Sequence, residues 1–224
     1  MKYLITGTSR GLGFHLASKL LTYGDVIGIS RSIGSAETLL HNQSFTYLEA
    51  DLSKFDILSK KNMFRETLLK EIEDEEFTVV INAAKFFSNS RRLCAKERQE
   101  LFQLNLFSVM DLVEALRGLS IKRIFFVNSI SGLLGQDSQH EYAASKHALM
   151  GYVRSLMKEA KSMPYDIMCI NPGGIKTELW NNYPDVDVTS FLNSDELAEI
   201  IVKLLLIKQR MFIESMVILP ESDL

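Results

Sequence analysis

Short apolar segments rich in β-branched and aromatic residues recur along the chain at Lys2–Thr6, Val26–Ser30, Phe45–Glu49, Phe77–Asn82, Arg123–Asn128, Asp166–Asn171 and Met211–Leu219, each of strand length. Stretches with helical spacing separate them; Leu149, Tyr152, Val153, Leu156 and Met157 repeat as i, i+3, i+4, i+7 and i+8. That alternation leaves few folds open. Runs such as Val79-Val80-Ile81 are apolar on both faces, so the strands need cover on both sides, which crossover helices give a parallel sheet. The pattern predicts a doubly wound α/β fold, a mainly parallel seven-stranded sheet with helices on both faces. At 224 residues, against roughly 150 per domain, one such unit spanning 1–224 is expected.

What such a sheet could bind is narrowed by charge. Lys plus Arg total 25 and Asp plus Glu 28, a formal net charge of −3, so neither a nucleic-acid backbone nor an anionic membrane is expected as partner. Cys94 and Cys169 lie far apart with no CxxC, and the four histidines show no ligand spacing, which argues against a disulfide framework and a metal site. A reduced, cytoplasmic setting fits. The start turns polar at Thr6, too early for a leader's apolar core, and no apolar run approaches the roughly 18 residues of a membrane span. Two capping boxes, Ser138 to Glu141 and Asn193 to Glu196, mark expected helix starts, and Trp180–Phe191 reads as a long loop able to act as a lid.

The first strand runs into Thr6-Gly7-Thr8-Ser9-Arg10-Gly11-Leu12-Gly13 and then an apolar-periodic helix. Gly7 permits a tight turn, Gly11 lets the backbone approach a pyrophosphate, Gly13 allows close helix–sheet packing, and the free amides at the helix start face an anion. The same residues spell G-x-S-x-G, the elbow of a hydrolase nucleophile, but only six residues precede Gly7, too few for the loop that completes an oxyanion hole. A dinucleotide site carries its ribose-reading residue at the end of the second strand, and Arg31 stands there. With Arg10 and Ser32 beside it, Arg31 would pair with a 2′-phosphate, pointing to NADP(H) in preference to NAD(H).

Tyr142-Ala143-Ala144-Ser145-Lys146 puts a phenol and an ammonium one helical turn apart. Ser129 ends the strand thirteen residues earlier, and in a doubly wound sheet the carboxyl ends of strands border the ligand crevice. Glycine turn, strand-end serine and YxxxK therefore converge on one side.

With these residues in place the sequence resembles the short-chain dehydrogenase/reductase family of the classical type, a Rossmann fold, over nearly its whole length. The matching segments are 6–13, Asp51-Leu52, Asn82-Ala83-Ala84, Asn105, Ser129, YAASK at 142–146 and Pro172-Gly173-Gly174-Ile175-Lys176-Thr177. The resemblance implies a tetrad of Asn105, Ser129, Tyr142 and Lys146, with Asn105 anchoring a proton-relaying water. It also implies that Asp51 meets the adenine amino group, that Asn82 steadies the sheet, and that Pro172, Gly173, Ile175 and Thr177 border the nicotinamide. The expected reaction is hydride transfer between a nicotinamide and a small carbonyl or alcohol substrate, as in a carbonyl reductase or alcohol dehydrogenase. Tyr142 would be acid and base, its phenolate favoured by the Lys146 charge about 6 Å away.

The alternative is a catalytically silent dinucleotide-binding sensor or scaffold, which would have no physical need of the tetrad. An epimerase or dehydratase is disfavoured because those relatives usually carry longer C-terminal substrate regions. Lys85 replaces the family's glycine in NNAG, and Pro220 to Leu224 carry no glycine-rich tail. The apolar residues wrapping Leu101–Leu116, with the helix Leu149–Met157, imply a homodimer, with a tetramer left open.

Overall fold

In the computed structural model, residues 1–54, 66–68, 70–72, 75–86, 93–135 and 137–221 are described. Their strands in chain order are β1 (Lys2–Thr6), β2 (Asp25–Ser30), β3 (Phe45–Glu49), β4 (Phe77–Ile81), β5 (Ile121–Val127), β6 (Asp166–Pro172), β7 (Ile175–Lys176), β8 (Leu192–Asn193) and β9 (Ile213–Ile218). Seven of them form one sheet in the order β3-β2-β1-β4-β5-β6-β9, and every neighbouring pair is parallel. The short strands β7 and β8, absent from the sequence reading, pair in parallel beside it. Of the tail, residues 222–224 lie outside the described residues.

Alternation along each strand builds two apolar layers. On one face Leu4, Val79, Ile124 and Ile167 pack with Leu112 and Leu116 of α3 (Ser108–Leu116) and with Leu149 and Val153 of α4 (His140–Glu159); α2 (Ala95–Phe102) precedes them on that side. On the other, Ile5, Val80, Phe125 and Met168 meet Leu16 and Leu20 of α1 (Gly11–Leu20) and Leu197 and Ile201 of α5 (Ser194–Leu205). Each such side chain contributes about 1.5–3 kcal/mol when fully buried.

Helix ends follow local chemistry in one case and not in another. Asn193 caps α5 by accepting from the amides of Asp195 and Glu196 at 2.8 and 3.3 Å. The Ser138 box, by contrast, does not form. Ser138 sits in the left-handed region at φ 57, and Gln139 occupies the cap position of α4 without a side-chain capping bond. The helix also breaks rhythm between α2 and α3, where Gln103–Phe107 form a π turn. Such turns shift the residues inside them relative to the α-helical frame.

Candidate active site

The carboxyl ends of β1, β4, β5 and β6 open into a cleft of about 640 Å³. At its centre the glycine turn is tied to β4: the Thr6 hydroxyl accepts from the amides of Asn82 and Ala83, both at 3.0 Å, and the Asn82 side chain donates to the Thr6 carbonyl at 3.3 Å. Gly7 and Gly11 adopt φ 78 and 56, which side chains resist. A methyl group added at Gly13 would overlap the Gly7 carbonyl oxygen, so Gly13 packs beneath the cleft rather than lining it. Arg10 at the N-cap of α1 is extended and gives no side-chain cap, so the first-turn amides at Gly11, Leu12 and Gly13 have no capping side chain.

Arg10, Arg31 and Ser32 are exposed along the same cleft, with Ser9, Asp51 and the buried Leu52 completing that end. Burial pushes the Asp51 carboxyl up, yet hydrogen bonds from the Ser53 hydroxyl and amide and the charges of Arg31 and Lys54 outweigh it, holding Asp51 below the usual carboxylate range. The elbow reading of Ser9 gains nothing, because among the described residues no histidine lines the cleft. Nor do three His, Cys, Asp or Glu side chains of the described residues gather as a metal cluster.

Farther along, Ser129, Tyr142 and Lys146 line the cleft together. The Ser129 oxygen accepts from the Ser131 amide at 3.1 Å. Tyr142 departs from expectation in its net shift. Burial raises its pKa more than the Ser129 hydroxyl's hydrogen bond lowers it, and the Lys146 ammonium lies 5.9 Å from the ring centroid, over the ring. Lys146 is 2% exposed, and burial lowers its pKa from 10.5 to about 8.

Asn105, 1% exposed, does not reach the cleft wall. From the π turn its side chain accepts from the Lys85 amide at 2.7 Å and donates to the Lys85 carbonyl at 2.9 Å and to Ser145 Oγ at 3.1 Å. Ser145 in turn donates to the Tyr142 carbonyl at 2.7 Å, so Asn105 braces the β4 end against α4. The Lys85 side chain turns to an ion pair with Glu100, while Ala83 and Ala84 remain on the cleft wall.

The residue after Lys85 went unread in the sequence. Phe86 is 8% exposed and sets its ring against Tyr142 at 5.0 Å and 75°. Trp180 and Tyr183, from the loop expected to form a lid, approach Phe86 at 5.1 and 5.3 Å, and Phe191 meets Trp180 at 5.1 Å. Pro172, Gly173, Ile175 and Thr177 lead into that loop along the cleft, with Thr177 capping its first turn. Gln139, at the head of α4, also lines the cleft; its place just before YxxxK was the available signal.

This chain belongs to the short-chain dehydrogenase family, whose model it matches over residues 2–187. It is 31% identical over 191 residues to the 3-oxoacyl-(acyl-carrier-protein) reductase FabG of Buchnera aphidicola, covering 80% of this chain and 75% of that one. The FabG of Escherichia coli K12 is 29% identical over 209 residues, covering 89% and 80%. A crystal structure of a short chain dehydrogenase from Shigella flexneri complexed with NADP superposes with a TM-score of 0.84 at 21% identity, covering 97% and 95%.

Proposed function

We propose that this chain is an NADPH-dependent oxidoreductase that reduces the carbonyl group of a small or medium-sized ketone or aldehyde, with NADP(H) preferred to NAD(H). One observation carries the reading: Ser129, Tyr142 and Lys146 stand in the same cleft as a glycine turn whose helix start offers uncapped amides. Those amides suit a pyrophosphate, Arg31 and Arg10 suit a 2′-phosphate, and a buried ammonium at Lys146 suits ribose hydroxyls. The likeness to two ketone-reducing relatives and to a protein crystallised with NADP supports it.

When bound, a reduced nicotinamide supplies hydride to the carbonyl carbon. Negative charge then grows on the carbonyl oxygen, where the Ser129 and Tyr142 hydroxyls donate; preorganised donors of this kind contribute about 10²–10³ each in rate. Burial keeps the Tyr142 phenol protonated at neutral pH, so it holds the proton the oxygen takes. Lys146, still cationic at pH 7, stabilises the phenolate left behind.

The test follows NADPH absorbance over a panel of ketones and aldehydes. Tyr142→Phe should lower kcat by about 10³ or more while NADPH affinity by calorimetry stays within about threefold, because the hydroxyl acts only as charge develops. The native protein should bind NADPH at least about tenfold tighter than NADH, and Arg31→Ala should erase most of that ratio. Full activity in the Phe variant, or equal affinities, would overturn the assignment.

A further inference from the structure

We infer that the substrate half of the cleft selects an uncharged carbonyl compound bearing an aromatic ring over one bearing a saturated ring, a straight acyl chain or an anionic group. The inference deepens the reductase reading and rests on it. Among the described residues Phe86, Trp180 and Phe191 line the cleft on the side of Tyr142, and Tyr183 packs against Phe86 and Trp180 from outside it, each contact between these rings tilted or edge-to-face at 58° to 82°. These rings are fixed in place. Trp180 donates to the Ile175 carbonyl at 2.7 Å, and Tyr183 to the Phe86 carbonyl at 2.8 Å. Phe191 lies so close over Gly174 that an added methyl would come within 2.7 Å of the ring.

A flat ring entering among them can take over an edge-to-face contact and keep the quadrupole attraction; a saturated ring of equal size gains only burial. Charge selects in the same direction. Among the described residues of the cleft the charged side chains are Arg10, Arg31, Asp51 and Lys146, and the first three stand beyond the ends of β1, β2 and β3, away from Tyr142. Lys85, at the end of β4, is paired with Glu100. Of the described charged side chains an anionic substrate would meet Lys146, whose ammonium already lies over the Tyr142 ring.

The test uses two ketones with the same reacting carbonyl, 4-phenyl-2-butanone and 4-cyclohexyl-2-butanone, and the N-acetylcysteamine thioester of acetoacetate. With the full chain and NADPH, kcat/KM for the phenyl ketone should exceed that for the cyclohexyl ketone at least tenfold, and Phe86→Leu and Trp180→Leu should each bring the ratio below about threefold. Trp180 is the single tryptophan, so its fluorescence gives a second readout. With NADP⁺ present, where no reduction can occur, the phenyl ketone should quench it at a tenfold lower concentration than the cyclohexyl ketone.

Equal kcat/KM for the two ketones, or a thioester preferred to both, overturns the inference and leaves the reductase reading intact. If no carbonyl is reduced but selective quenching remains, the ring preference stands and the proposed reaction falls. Absence of both turnover and selective quenching removes both.

Discussion

A lysine held at 2% exposure, with its pKa lowered to about 8, is costly to keep in a folded chain. The unfolded chain holds that proton up to about 10.5. Below pH 8 both states are protonated and the folded state bears the whole desolvation cost, about 3 kcal/mol at about 1.4 kcal/mol per pKa unit. Between pH 8 and 10.5 the folded state loses its proton first, so stability rises with pH and the cost fades. Lys146→Met should therefore stabilise the cofactor-free protein by about 1–3 kcal/mol at pH 7, a gain that shrinks to near zero by pH 10.5, while turnover is lost. Urea unfolding across that range checks it, and a variant less stable at every pH would show that Lys146 is compensated in the native state. The pairing of Tyr142 with Lys146 was plain in the sequence; the direction in which burial moves the phenol was not, because it depends on burial by residues such as Phe86 that reach Tyr142 from distant segments.

At the scale of elements, the buried Arg123 on β5 ties two strands and a helix together. It grips Asp166 of β6 through two bonds at 2.6 and 2.8 Å and donates to the Leu204 and Leu205 carbonyls, both at 3.0 Å, which closes the end of α5. Arg123→Met should cost about 3–5 kcal/mol by leaving Asp166 buried without its cation, and Arg123→Met with Asp166→Leu should recover much of it. Chemical denaturation of the three proteins decides; equal losses in the single and double variants would point instead to the α5 carbonyls. The seven strands of the main sheet were legible because their apolar runs are continuous and their parallel pairing follows from alternation with helices, whereas the two-residue β7 and β8 were not. Nor was the π turn. Leu104-Asn105-Leu106 has ordinary helical periodicity, and the extra residue in the turn accompanies hydrogen bonds that Asn105 exchanges with the Lys85 backbone and donates to Ser145, partners far away in sequence. Ser138 failed as a cap for a related reason: its backbone is left-handed there, so the box geometry is unavailable however good the residue pattern.

For the molecule as a whole, the large apolar residues of Leu101–Leu116 divide unevenly. Leu101, Val109, Leu112, Val113 and Leu116 are buried within the chain, Phe102, Leu104 and Leu106 are half-buried, and Phe107 and Met110 are left 48% and 38% exposed. That remnant supports the expected homodimer, with light scattering giving twice 25.4 kDa and Phe107→Glu with Met110→Glu giving the monomer. A single-chain mass for the native protein would refute it. The sheet order has a further consequence for how the protein is made. The Gly173 amide beside the cleft donates to the Ile218 carbonyl of β9 at 2.8 Å, and Asn171 donates to Ser215 at 2.9 Å. A ribosome that has delivered every residue named here for the chemistry, through Phe191, has therefore not yet delivered the strand on which Gly173 is hung. The nascent chain holds an open β6 edge until β9 emerges, and an unpaired strand edge of that kind is the surface on which aggregation starts and chaperones act.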